Sequence, residues 1–254
     1  MRRVSILLLS SFAIVLSVAL FAGWNFISQK VSIVENPADL QNAAFFFAYI
    51  LVATMLLILL LKFYKGNTLF RAVELLLEFS AIQVFLAIFA NAIVSAAGAL
   101  ALVAIRFFNE RLKTPFLMFA TAIVGALLGS SLDLLPAMLL AWLLAAYDYY
   151  AVFHSKHMVF LAKQLGQRQA AFAISLKHKK ESVLLGTGDF VMPAMLAVSA
   201  LKISSLAAFS TAFGAFAGLA ILVWHMEKNK GYYPALPPIV AGATVLFLAQ
   251  MLVV

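Results

Sequence analysis

Residues 182–201 read "SVLLGTGDFVMPAMLAVSAL". One ionisable side chain, Asp189, stands in an otherwise uncharged and mostly apolar run. About 20 such residues are what a helix needs to cross the hydrocarbon of a bilayer. The rest of the chain repeats the pattern. Comparable runs lie at about 4–27, 43–61, 69–90, 92–108, 115–131, 134–154, 204–225 and 234–254. With 182–201 they make nine.

Composition agrees with that reading. The 254 residues are 65% hydrophobic and 11% charged, whereas soluble domains are about half apolar and a quarter charged. The expected fold is an all-α integral membrane protein of nine transmembrane helices. It forms one polytopic membrane domain over 1–254: six helices in about 1–154, a cytoplasmic loop at 155–181, and three more in about 182–254. The run "MRRVSILLLSSFAIVLSVALFAG" has the charged start of a signal peptide, with a passable cleavage site at Ser17–Ala19. Its apolar stretch continues to full membrane width, so a first span is expected there.

Charge placement orients the chain. With a cytoplasmic N-terminus, sixteen of the 18 lysines and arginines fall on cytoplasmic segments and span ends. Only Lys30 and Lys202 fall on the other side, as the positive-inside rule requires. The C-terminus is then outside. The net charge of +8 reflects this orientation, and no nucleic-acid partner is expected. The chain has no cysteine, which excludes disulfides, thiolate nucleophiles and cysteine-ligated metals. His154, His157, His178 and His225 form no HExxH-type pair. No metal and no cofactor are expected.

Charges inside spans are costly, and are commonly paired or functional. Glu74 lies three residues after Arg71 and is expected to pair with it on one helix face. Glu78 is expected to bond to a neighbouring helix, with proton supply as the sharper alternative. Asp133 reads as the N-cap of the sixth span, with Pro136 in the first turn. Asp148 and Asp189 have no basic residue within a helical turn. Each lies eight residues from a cytoplasmic anchor, Lys156 or Glu181, hence about 12 Å from it at helical rise, and the two are expected at matching depth. Two facing carboxylates in a low-dielectric site share a proton and titrate as a unit. Such a pair can activate a water and polarise a peptide carbonyl. It can equally bind a cation or relay protons in a transporter. Depth alone leaves both readings open.

Three short motifs complete the pattern: "YD" at 147–148, "GTGD" at 186–189 and "PALPP" at 234–238. In that order, on the sixth, seventh and ninth spans, they resemble the GxGD intramembrane aspartyl proteases. Within those, the presenilin and signal peptide peptidase group, and especially archaeal presenilin homologues, looks closest. The likeness is best at 141–165, 183–200 and 233–245.

The resemblance implies an intramembrane aspartyl endopeptidase with Asp148 and Asp189 as the catalytic pair. It implies that Tyr147, Gly186, Thr187, Gly188, Pro234, Ala235 and Leu236 contact substrate. Thr187 departs from the Leu or Met common at that position. The 155–181 loop is short beside the cleaved loop of presenilins, so an active single chain is expected. The implied substrates are single-span membrane proteins or signal-peptide-like segments, with no obligatory subunits and homo-oligomers allowed. The implied location is the bilayer, at the cell membrane if the source is prokaryotic. A transporter or ion-leak channel using the same aspartates is the competing reading. The absence of an evident inverted repeat argues against it, and a non-enzymatic scaffold leaves two buried carboxylates unexplained.

The glycines and prolines have physical readings of their own. A substrate helix must unwind before its peptide bonds are accessible. Gly186 and Gly188 would let that unwound chain approach. The pairs Gly125/Gly129 and Gly214/Gly218 read instead as tight helix packing. Prolines favour extended neighbours and free carbonyls, so 234–238 is expected to be non-helical. The stretch 158–180 mixes apolar and basic residues and is expected to lie on the membrane surface as an amphipathic helix.

Overall fold

The computed structural model describes residues 2–64, 66–154, 173–178, 181–229, 231 and 233–253. Among these are nine α-helices: α1 (Arg2–Ser28), α2 (Gln41–Phe63), α3 (Thr68–Leu86), α4 (Ala92–Phe108), α5 (Lys113–Ser131), α6 (Leu134–Phe153), α7 (Gly188–Leu201), α8 (Ser205–Lys228) and α9 (Leu236–Val253). Five segments, covering α1, α2, α5, α6 and α8, are long and apolar enough to cross a membrane. Helices α4, α7 and α9 are shorter and apolar. Helix α3 carries Arg71, Glu74 and Glu78.

Helix α7 is the centre of the bundle. It is apolar on every side, the pattern of a helix surrounded by others. Nearly every residue from Phe190 to Ala200 is buried, against α1, α5, α6, α8 and α9. Helix α2 is the opposite case. Its buried residues are Ala43 and Leu61, while Phe45, Tyr49, Val52 and Met55 point outward. An outward face this apolar is suited to lipid.

Small residues set the closest approaches. A Cβ on Gly214 would collide with the Gly242 carbonyl, and one on Gly218 with the Pro238 carbonyl. Helices α8 and α9 therefore cross backbone to backbone. Gly125 and Gly129 do the same for α5 against α7, facing Ala194 and the Met195 carbonyl. The packing reading of both pairs holds. Asn91 accepts from the Val94 N–H and Ser204 from the Ala207 N–H, capping α4 and α8. These short polar caps separate helices that nearly touch in sequence.

Several expectations need correction. Residues 181–186 are not the start of the seventh helix. They form β2 (Glu181–Gly186), paired antiparallel with β1 (Ala173–His178) from Ala173↔Gly186 to His178↔Glu181. An apolar run of this length reads equally as strand or helix, and here a partner strand decides. The amphipathic helix expected at 158–180 is thus contradicted at 173–178, and its portion before 173 lies outside the described residues. Because 181–186 is extended, the helical rise assumed between Glu181 and Asp189 does not apply.

The charged residues also found other partners. Arg71 pairs with Glu110 at 2.9 Å, not with Glu74. Glu74 and Glu78 converge instead on the buried Arg106 of α4, and Lys113 of α5 adds to Glu74 at 3.3 Å. Glu78 is therefore ion-paired with a neighbouring helix. In low dielectric, four charges in compact mutual contact are far cheaper than one left alone. Asp133 occupies the N-cap position of α6 but makes no capping bond. Its carboxylate takes Lys202 at 3.0 Å, closing the ends of α6 and α7 together.

Candidate active site

The two aspartates come from the centre of the bundle. Asp148 lies in the penultimate turn of α6 and is 8% exposed. Asp189 lies in the first turn of α7, partly buried. The two carboxyl groups are near enough to interact electrostatically. The helical rise that underlies the expected matching depth does not hold on the Asp189 side.

Backbone donors hold both carboxylates, and Asp148 is bonded by Ala235 as well as Leu236. The Gly186 N–H donates to Asp189 Oδ2 at 3.2 Å. The Leu236 N–H donates to Asp148 Oδ2 at 3.2 Å. Hydrogen bonds to a charged group are the stronger kind, about 1.5–3 kcal/mol. In both cases the donor sits where regular structure begins or ends. Gly186 is the last residue of β2, and Leu236 is the first of α9. The N–H groups opening a helix have no helical partner, so the start of α9 can spend one on Asp148.

The GTGD segment is a strand-to-helix turn. Thr187 takes helical angles, and its carbonyl accepts from Phe190 and Val191, which launches α7. A Cβ on Gly186 would stand 3.3 Å from Asp189 Oδ2. Gly188 is different: a Cβ there would meet nothing within 4 Å. One glycine is pressed against the carboxylate, and the other faces open space.

The PAL segment is buried throughout at Pro234, Ala235 and Leu236. Leu236, Pro237 and Pro238 form the first turn of α9, so the expected non-helical stretch ends at Ala235. Proline is well tolerated there, because its missing N–H is one the helix would not use. The Trp142 Nε1–H donates to Thr244 Oγ1 at 3.2 Å, joining α6 to α9 beyond the site. Tyr147 meets Phe47 of α2 edge to face, with ring centroids 6.4 Å apart.

Two contributors were missed from sequence. One is Phe47, whose apolar span gave no sign of its neighbour. The other is Pro193, which stands in plain view four residues after Asp189. It has no N–H, so the Asp189 carbonyl lacks its helical donor. That leaves a backbone acceptor at the start of α7.

The comparisons with known proteins agree with this picture. The family profile described as "Signal-peptide peptidase, presenilin aspartyl protease" matches residues 4–254. Two crystal structures of a presenilin family intramembrane aspartate protease, in C222 and P2 forms, are similar in fold. The first has a TM-score of 0.74 at 24% identity, covering 98% of this chain and 99% of that one. The second has a TM-score of 0.71 at 24% identity, with 96% and 97% covered. No functionally curated protein matches. Nothing in these comparisons supports a transporter. The chain belongs to the signal-peptide peptidase and presenilin aspartyl protease family, and is a multi-pass membrane protein and aspartic endopeptidase.

Proposed function

We propose that Asp148 and Asp189 are the catalytic pair, hydrolysing peptide bonds within the transmembrane segments of other proteins. The observation that carries this is the placement of two interacting carboxylates held by backbone N–H groups, Asp189 by Gly186 and Asp148 by the Ala235–Leu236 segment. Between them the two carboxyls would bind a water and a substrate carbonyl. The ionised aspartate takes a proton from the water as its oxygen bonds to the carbonyl carbon. The protonated aspartate donates to the carbonyl oxygen. As the tetrahedral intermediate collapses, the C–N bond breaks and the leaving nitrogen receives a proton from the pair.

The remaining motif residues are assigned to substrate. An unwound helix exposes N–H and C=O groups that need partners inside a membrane. Strand β2 leads directly into Gly186, and among the described residues the sheet has only two strands. Its edge offers main-chain pairing to an extended segment. Gly188 leaves room for that segment, and Thr187 lies between the two glycines. Tyr147 and the Pro234–Leu236 segment would line the other side.

The nine-span arrangement, with a cytoplasmic N-terminus and an outside C-terminus, belongs to the same proposal. It rests on nine helices among the described residues and on the sixteen-to-two division of basic residues. The site would then lie nearer the cytoplasmic side. Preferred substrates would be single-span proteins with an outside N-terminus, or signal-peptide-like segments. The test is incubation of the purified protein with a single-span substrate, with products identified by mass spectrometry. Cuts within the span, suppressed by a transition-state analogue of aspartyl proteases, are expected. Aspartate-dependent ion flux in liposomes without peptide products would contradict the proposal.

A further inference from the structure

Lys30 and Lys202 are the two basic residues that the proposed topology leaves on the outer side. Far apart in sequence, they line one cavity of about 180 Å³. It lies where α1, α5 and α7 end, under the loop that follows α1. Ile27 and Pro37 give it apolar wall, Ser32 and Ser130 polar wall. The space is several times the roughly 30 Å³ that a water takes in the liquid, enough for a phosphate group.

The walls are fixed by hydrogen bonds. The Val31 N–H donates to the Phe26 carbonyl at 2.8 Å, and the Lys30 N–H to the Ile27 carbonyl at 3.1 Å. This double closure of α1 needs a left-handed residue, a place that ordinarily goes to glycine. Lys30 fills it with φ 55°, and among the described residues it is the one non-glycine with positive φ. A side chain there costs free energy that glycine would not. Beyond it, the Ser130 hydroxyl donates to the Val31 carbonyl at 3.0 Å, and the Ile33 N–H to Ser131 Oγ at 3.0 Å. The Asp133 N–H donates to the Pro37 carbonyl at 2.9 Å. The loop is thereby tied to the corner between α5 and α6.

The charges are not balanced within the cavity. Lys202 Nζ donates to the Leu132 carbonyl and to Asp133 Oδ1, each at 3.0 Å. An ammonium has three N–H donors, so one is left. The Lys30 ammonium has no ion pair or hydrogen bond among the described residues. The nearby acids do not supply the missing charge. Asp133 is engaged by Lys202, Asp39 Oδ1 accepts from the Gln41 N–H, and Glu35 is exposed and off the lining. The Ser32 and Ser130 hydroxyls already donate to carbonyls. The free donors are therefore two ammoniums, which bind phosphate as point charges. One turn before Ile27 on α1 stands Trp24, 62% exposed. Tryptophan on an outward face marks the headgroup level of a bilayer, where phospholipids carry their phosphates.

We propose that this cavity binds a phosphate group between the Lys30 and Lys202 ammoniums. The site is remote from the aspartates and independent of the catalytic assignment, and only its leaflet follows from the proposed topology.

The test uses Lys30→Gly, which removes one cation and installs the residue that the closure of α1 favours. Its Tm should equal or exceed that of wild type, so a lost ligand cannot be blamed on a lost fold. Purified full-length protein in detergent is titrated with phosphatidylglycerol, and separately with diacylglycerol of the same chains, and read by native mass spectrometry. Wild type is expected to retain one more phosphatidylglycerol than Lys30→Gly, with binding at that site about tenfold tighter, or about 1.4 kcal/mol. Lys30→Arg should keep the lipid, and diacylglycerol should be released. Thermal unfolding in sodium phosphate against sodium chloride of equal ionic strength gives the second arm. A gain in Tm from phosphate that needs Lys30, without a Lys30-dependent lipid, would identify free phosphate as the source. Equal phosphatidylglycerol on wild type and Lys30→Gly, together with no Lys30-dependent gain from phosphate, would overturn the proposal. So would diacylglycerol held as tightly as phosphatidylglycerol.

Discussion

The backbone N–H of Leu236 donates to the Asp148 carboxylate at 3.2 Å, across 88 residues of chain. The first residue of the last helix thereby fixes a carboxyl near the end of the sixth. The PAL segment is thus a support for an aspartate as well as a candidate surface for substrate. Leu236→Pro removes the donor at the first position of a helix, where proline is generally accepted. Loss of a hydrogen bond to a charged group is about 1.5–3 kcal/mol, so kcat is expected to fall at least about tenfold. Leu236→Val keeps the N–H and should retain most activity. Circular dichroism and thermal unfolding check that both variants fold, and equal kcat in the two would refute the positioning role.

The two glycines of GTGD should separate under the same substitution. At Gly186 a methyl group presses on Asp189 Oδ2 at 3.3 Å. Gly186→Ala is expected to lower kcat with any substrate, because the carboxylate must shift. At Gly188 a methyl group meets nothing within 4 Å among the described residues. Gly188→Ala should leave stability unchanged and raise KM for membrane-embedded substrates if the proposed substrate path runs past Gly188. Steady-state kinetics on both variants make the comparison.

The cluster of Glu74, Glu78, Arg106 and Lys113 joins three helices. Arg106→Met leaves two buried carboxylates without their main partner. Breaking such a pair costs about 3–5 kcal/mol, so Tm should drop by several degrees in detergent. The triple change Arg106→Met, Glu74→Gln and Glu78→Gln should recover much of that loss, because no uncompensated charge remains. A Tm indifferent to Arg106→Met would show that the cluster does not hold α3 to α4.

Some features are legible in the sequence and others are hidden, for physical reasons. Helices show themselves by apolar length alone, so all nine among the described residues can be read to within a few residues at most ends. Asp148 and Asp189 stand out because a charge in an apolar span is conspicuous. Pairings between distant segments leave no such mark. Arg71 looks like the partner of Glu74 because it is three residues away, whereas Arg106 is 32 residues away and on another helix. Strand β2 needs its partner β1 to be recognised, and Val183–Leu185 alone fit a helix equally well. At Pro237 and Pro238 the preference for extended chain gives way to the start of α9. The helical rise assumed before Asp189 fails because residues 181–186 are strand.

If Asp148 and Asp189 perform the hydrolysis together, neither can be spared. Asp148→Asn and Asp189→Asn keep size and hydrogen-bonding capacity while removing the ionisable group. Each purified variant is incubated with a single-span membrane substrate, and products are read by mass spectrometry beside wild type, with thermal unfolding to confirm the fold. Cleavage is expected to fall by a factor of about 1,000 or more in each single variant. Near-normal cleavage by either one would contradict the shared role of the pair.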